Sequence, residues 1–281
     1  MQRYYEKFAV IFLLPLLACF VLAFAIPFVM GTFLSFTDYI SMKDFTFTGL
    51  KSYQTAFDTT YGTPTFWTAL GRTTLFAAVS ILTINFNAFV LALLLTKGLR
   101  GSNIYRSIFF MPNLIGGIVL GYIWKMILNG ILQTWNSNLS MNPWYGFFGL
   151  VILMNWQQVG YMMIIYIAAL MNVPTDLNES AEIDGANKWQ TTWHVTIPMV
   201  IPSFTICSFL TLTNSYKLYD QNIALSGNSP ETNLLAADIV STTISHGNLG
   251  PEQAKAVVFF VIVAAISGLQ VMLTRRKEVE A

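Results

Sequence analysis

The stretch Val173-Pro174-Thr175-Asp176-Leu177-Asn178-Glu179-Ser180-Ala181-Glu182-Ile183-Asp184-Gly185-Ala186-Asn187-Lys188-Trp189-Gln190-Thr191-Thr192-Trp193-His194-Val195-Thr196-Ile197-Pro198 stands between two apolar runs, at residues 149–171 and 199–216. Pro174 suits the opening of a helix, and Asp176 and Glu179 put negative charge where the first turns leave N–H groups unpaired. Gly185 offers the left-handed residue that stops such a helix, after which Asn187 can cap a second one. The passage predicts helix, sharp turn, helix. Asp176, Glu179, Glu182 and Asp184 against Lys188, with His194 neutral, give it four negative charges and one positive. Asp176, Glu179 and Glu182 recur every three residues, so neighbouring carboxylates share roughly one side of the first helix. Such a face either meets water or docks on a basic surface.

The flanking runs belong to a chain suited to lipid. Of its 281 residues 54% are hydrophobic and 10% charged, against roughly 25% charged in ordinary soluble domains. A bilayer core about 30 Å thick takes roughly 20 apolar residues per helix. Spans are expected at residues 8–35, 73–96, 104–128, 149–171, 199–216 and 256–274, with Lys125 near the end of the third and Pro202 in the first turn of the fifth. The run that begins after Arg3 and Lys7 resembles a lipoprotein signal as far as Cys19. It continues to Phe36, however, well beyond a signal h-region of about 7–15 residues.

Basic residues orient the spans. Lys97, Arg100 and Arg106 crowd the connection between spans two and three, and Arg275, Arg276 and Lys277 close the chain, so both places are expected in the cytoplasm. Six spans then put the N-terminus, with Arg3 and Lys7, inside as well. The expected fold is an all-α membrane protein of six transmembrane helices, residues 1–281 forming one domain, with the 173–198 loop cytoplasmic and the N- and C-termini inside. The net charge of +1 gives no general attraction to nucleic acid. Cys19 and Cys207 sit in separate apolar runs, which supports neither a disulfide framework nor a metal site.

The 173–198 loop resembles the EAA loop of ABC-importer permeases, which reads Glu-Ala-Ala, two residues, Asp-Gly-Ala, then an aromatic and Leu-Pro. Glu179, Ala181, Asp184, Gly185, Ala186 and Pro198 match in identity and spacing. Ser180 stands for the second Ala, Thr192 for Phe, Val195 for Ile and Ile197 for Leu, so the hydrophobic part departs more than the acidic part. The resemblance implies that this is the ATPase-coupling element, seated in a cleft of the ATPase subunit with Glu179 meeting a basic residue. Gly49-Leu50-Lys51-Ser52-Tyr53, Phe66-Trp67-Thr68-Ala69-Leu70-Gly71-Arg72-Thr73, Arg106-Ser107-Ile108-Phe109-Phe110-Met111-Pro112 and Arg275-Arg276-Lys277-Glu278 are similar to the carbohydrate-uptake branch. Gly227-Asn228-Ser229-Pro230-Glu231-Thr232 resembles its last external loop, which implies contact with a binding protein.

The resemblance further implies the type I ABC importer permease architecture in a bacterial plasma membrane. The implied partners are a second permease subunit in a heterodimeric pore, two ATPase subunits and an extracytoplasmic solute-binding protein. No Gly-Lys dipeptide and hence no Walker A loop occurs, so ATP and Mg are expected at the partner ATPase subunits, with no cofactor held by this chain.

Polar residues inside spans are costly in lipid and tend to face a bundle interior or an aqueous path. Asn155, Gln157, Gln158 and Tyr161 in span four, and Thr211, Asn214 and Ser215 in span five, are the candidate substrate path. Their amides, hydroxyls and aromatic ring suit a neutral sugar, though the same residue types also hydrogen-bond between helices. By resemblance, family members hold sugar in the spans flanking the coupling loop. Asn85 and Asn87 read first as interhelical hydrogen bonders. Pro112, with Gly116 and Gly117 following, reads first as a tolerated proline and second as a gating kink.

Other classes fit less well. A catalytic role is not expected: His194 and His246 fall in loops on opposite predicted faces, so no intramembrane Ser-His pair or His metal site arises. A secondary transporter would normally need an intramembrane carboxylate or cation-coordinating site for coupling, and Asp38, Asp220 and Asp238 lie outside the predicted spans. ABC permeases for another small polar solute, such as a polyol or glycerol phosphate, remain as alternatives, and the uncharged stripe argues mildly against phosphate or amino acids.

Overall fold

The computed structural model describes residues 13–41, 44–58, 66–227, 229, 231–246 and 249–275. Arg3, Lys7, Arg276 and Lys277, on which part of the orientation rests, lie outside these residues, as do Asn228 and Pro230. The described chain is mostly helical, with five helices long and apolar enough to cross a membrane, or six if one bent pair counts as a span. The helices are α1 (Leu13–Leu34), α2 (Lys51–Phe57), α3 (Phe66–Leu95), α4 (Ser102–Phe110), α5 (Gly117–Gln133), α6 (Pro143–Met171), α7 (Thr175–Ile183), α8 (Lys188–Tyr216), α9 (Asp220–Ser226), α10 (Leu235–His246) and α11 (Gly250–Arg275).

Contacts gather the chain into two units, Met1–Gly62 with Ile239–Val261 and Thr63–Asp238 with Ile262–Ala281. In the first, α1 is followed by an antiparallel hairpin, β1 (Thr37–Ser41) and β2 (Asp44–Phe47), in which Thr37 faces Phe47 and Tyr39 faces Phe45. This hairpin is an addition to the expected all-α reading. Its β-branched and aromatic residues favour an extended backbone over a helix. Ser52 on α2 donates to the Thr37 carbonyl at 2.9 Å, and the Leu249 N–H donates to the Tyr39 carbonyl at 3.0 Å. Phe28 of α1 meets Phe260 of α11 with ring centroids 4.9 Å apart.

The second unit is built on α3, α6 and α8, whose buried faces meet through Phe76, Ile84, Leu150, Leu153, Met162, Tyr166, Val200 and Cys207. Lipid tails are as apolar as these side chains, so close packing and interhelical hydrogen bonds hold such helices more than water exclusion does. One buried network ties all three helices. Tyr166 Oη donates to Asn85 Oδ1 at 2.7 Å, Asn85 Nδ2 reaches Thr211 Oγ1 at 3.5 Å, and Thr211 donates to the Cys207 carbonyl at 2.8 Å. Asn85 thus joins helices, as its residue type suggests.

Two spans differ from their sequence reading. The expected third span is bent by 100° between residues 102–114 and 117–133. Pro112 lies in a 3-10 turn, Met111–Leu114, and Gly116 leaves helical geometry with ψ 139°. A proline with two adjacent glycines is therefore a break here and not a tolerated proline.

The fifth span, expected to start at residue 199, runs back without interruption through the preceding loop to Lys188. Pro198 brings no N–H and would clash with the carbonyl four residues earlier. The helix widens into a π-turn at Thr192–Thr196, where the Ile197 N–H reaches the Thr192 carbonyl. The same device precedes Pro27 in α1, where the Ile26 N–H reaches Val21 across the π-turn Val21–Ala25. Pro202 lies inside α8 and not in its first turn.

Candidate functional site

α7 follows Pro174, carries Asp176 in its first turn and ends where Gly185 takes φ 84°. The Gly185 N–H donates to the Glu182 carbonyl at 3.1 Å and the Ala186 N–H to the Ala181 carbonyl at 2.9 Å. This is the two-bond Schellman stop, which only a left-handed residue can make. Asn187 and Gln190 then exchange side-chain and backbone hydrogen bonds at 2.9 and 2.8 Å, the reciprocal box that opens α8.

Of the six motif residues, Ala181, Gly185 and Ala186 build the turn, and Pro198 sits just past the π-turn. Glu179 and Asp184 are exposed beside it. The turn also presents apolar groups that the residue pattern did not single out: Ile183 is 86% exposed, Trp189 70% and Trp193 51%. The two indole rings lie 5.6 Å apart. Bulky apolar residues in an otherwise polar loop were the available signal. Together these groups form an acidic and aromatic face suited to a basic, partly apolar surface.

The seven candidate path residues do not share one surface. Gln158 and Asn214 do meet, Asn214 Nδ2 donating to Gln158 Oε1 at 3.5 Å. Tyr161 is half-buried and packs against the core. Gln157 turns toward the break in the third span, donating to the Ile115 carbonyl at 3.4 Å and accepting from Gln221 of α9 at 2.9 Å. Thr211 belongs to the Asn85 and Tyr166 network, and Ser215 donates to the Thr211 carbonyl of its own helix at 2.8 Å. Asn155 joins α6 to α3 through Thr83 at 2.9 Å.

Gln221 was missed because it lies in a loop by sequence. Its helix packs so closely on α5 that a Cβ on Gly121 would come 2.5 Å from Ala224 Cβ. Lys125, near the end of the expected third span, lays its ammonium beside Gly227, just past the C-terminus of α9, where positive charge is favoured.

The stretch after α9 is pinned by side chains. Asn222 is buried, accepts the Leu234 N–H at 2.8 Å and donates to the Thr232 carbonyl at 3.3 Å. Thr73 accepts the Leu235 N–H at 2.8 Å, and Arg72 donates to the Glu231 carbonyl. The fold therefore holds residues 231–235 ready-shaped, which lowers the ordering cost of any contact made there.

Residues 88–279 match the family of binding-protein-dependent transport system inner membrane components. The chain is 40% identical to the probable starch degradation products transport system permease protein AmyD of Thermoanaerobacterium thermosulfurigenes, over 96% of this chain and 94% of that one. It is 27% identical to the multiple sugar-binding transport system permease protein MsmF of Streptococcus mutans, over 95% of each. A chain of a bacterial ABC transporter that imports the acidic polysaccharide alginate superposes with a TM-score of 0.80 at 20% identity, over 98% of this chain and 96% of that one. The matched region includes both the acidic turn at Gly185 and the spans beside it. With near full-length kinship to AmyD, this makes the chain a member of the binding-protein-dependent transport inner membrane component family, the permeases of ABC transporters.

Proposed function

We propose that this chain is a permease subunit of an ATP-driven importer for a sugar or oligosaccharide in a bacterial plasma membrane. The observation that carries the reading is the Schellman-stopped acidic turn, with Glu179 and Asp184 exposed beside Trp189 and Trp193. It is a rigid protrusion continuous with a span, so movement of a partner seated on it passes directly into α8. In this reading residues 173–198 and both termini are cytoplasmic. The partner on the turn is one of two ATPase subunits, which hold ATP and Mg. A second permease subunit completes the pore, and an extracytoplasmic solute-binding protein delivers the solute to the outer loops.

A sugar is supported by the names of AmyD and MsmF and by the chemistry of the path. Gln157, Gln158, Asn214 and Gln221 offer neutral amides, which match hydroxyl groups in both donor and acceptor roles. The test is reconstitution of the complex with its binding protein in proteoliposomes and uptake of radiolabelled neutral oligosaccharides. Uptake that needs both enclosed ATP and the binding protein is the expected outcome. Accumulation driven by an ion gradient without ATP would contradict the reading, and an amino acid found on the purified binding protein would remove the sugar.

A further inference from the structure

α9 has seven residues and is too short to hold itself in place by helix formation alone. It nonetheless carries Gln221, whose amide meets the path far from any span of its own. Gln221 Nε2 donates to Gln157 Oε1 at 2.9 Å, and Gln157 Nε2 donates to the Ile115 carbonyl, at the break in the third span, at 3.4 Å. A backbone carbonyl only accepts, so Ile115 fixes which way the Gln157 amide faces, and Gln157 in turn fixes Gln221. The space is equally exacting. A Cβ on Gly117 would come 2.8 Å from Gln221 Cδ and 2.9 Å from its Oε1. This arrangement tolerates little displacement of α9.

The restraint comes from the next residue. Asn222 is fully buried and engages both halves of its amide. It accepts from the Leu234 N–H at 2.8 Å and donates to the Thr232 carbonyl and to Ser226 Oγ, both at 3.3 Å. Ser226 donates to the Asn222 carbonyl at 2.6 Å and reaches Asn233 Oδ1 at 3.4 Å. Residues 231–235 are themselves fastened to the N-terminal end of α3, by Arg72 at the Glu231 carbonyl and by Thr73 at the Leu235 N–H. They form a strap anchored on α3 and tied to α9 through one side chain. A buried amide satisfied in this way fixes a single geometry, because any other leaves its polar atoms unpaired.

We propose that Asn222 is a positioning residue for the solute path: it ties α9 to the strap and thereby holds the Gln221 amide in register with Gln157. Asn222 meets no solute itself. The assignment rests on the reading above that the Gln157 and Gln221 amides meet the hydroxyl groups of a sugar. Such groups act only when held within about 0.5 Å of the productive geometry, and a two-turn helix without its tie does not meet that demand.

The test is a double-mutant cycle on the whole transporter in proteoliposomes, with radiolabelled neutral oligosaccharides, varied binding-protein concentration and rates normalised to assembled complex. Asn222→Ala should lower the maximal uptake rate about tenfold, the scale of a small misplacement, and leave the half-saturating binding-protein concentration in place. Gln221→Ala should lower the maximal rate comparably. The double variant should be no slower than Gln221→Ala, because Asn222 acts through Gln221. Two losses that multiply would overturn the inference. So would a raised half-saturating concentration at full maximal rate, which would show that Asn222 serves only docking at the strap. If Asn222→Ala yields no assembled complex, Ser226→Ala carries the same cycle; it removes one brace and should slow uptake about threefold. The two levels separate cleanly. Unchanged uptake in Gln221→Ala removes the path reading at this site and the role of Asn222 with it, whereas a slow Gln221→Ala beside a full-rate Asn222→Ala removes the inference alone.

Discussion

Gly160→Ala is expected to lose most of its assembled permease, with the detergent-solubilised protein destabilised by about 1–3 kcal/mol, the usual cost of overpacking. The glycine lies where α6 crosses the end of α4 at backbone contact. A Cβ there would come 1.9 Å from the Phe109 carbonyl oxygen, 2.3 Å from its carbon and 2.8 Å from the Phe110 nitrogen. These are backbone atoms and no rotamer change relieves them, so α4 and the 3-10 turn carrying Pro112 must shift together. The shift reaches Ile115, whose carbonyl Gln157 holds, and through Gln157 it reaches α9. Gly130→Ala is the control, because nothing lies within 4 Å of a Cβ at that helical position. There the better helix propensity of alanine should leave stability unchanged or raise it by up to about 1 kcal/mol. Thermal unfolding followed by size-exclusion fluorescence separates the two, and equal midpoints would refute the close crossing.

The second large effect is on coupling, and it separates stability from transport. Glu179→Ala removes an exposed carboxylate for which no hydrogen bond is seen among the described residues, so the fold should hold within about 0.5 kcal/mol. Attachment of the ATPase should nevertheless weaken by roughly 2 kcal/mol or more, the cost of truncating one partner of a docked charge pair. Gly185→Val acts by another route. No atom lies within 4 Å of its Cβ position, yet φ is 84°. An L side chain pays about 1–2 kcal/mol in that left-handed region, and a β-branched one more, so the turn reopens and the helices part. Both variants should insert into membranes and both should lose binding-protein-stimulated ATP hydrolysis by tenfold or more. Undiminished stimulated hydrolysis in the two variants would show that the turn does not couple.

The turn was legible in the sequence because its determinants are local. Gly185 and the Asn187 cap lie within a few residues of the helix ends they fix, and the structure gives each the predicted backbone role. The break at Pro112 was written in Met111-Pro112-Asn113 with Gly116-Gly117. Sequence alone cannot weigh that signal against a proline that neighbours accommodate. Pro198 misled in the opposite direction, since a π-turn lets the helix continue where a boundary was expected. The path residues were the least legible. A polar side chain on one helix has several neighbours to choose from, and helix rotation and a short helix inside a loop decide among them. Gln157 and Gln158 are adjacent in sequence and face different partners, Gln221 and Asn214.

Cross-linking from position 179 tests the central claim most directly. In inverted membrane vesicles holding the whole transporter, a photoreactive amino acid in place of Glu179 is predicted to join this chain to the ATPase subunit, and added ATP should change the yield as the ATPase closes. Reaction of position 179 only with lipid or solvent, or its labelling from the extracytoplasmic side of intact cells, would contradict the account.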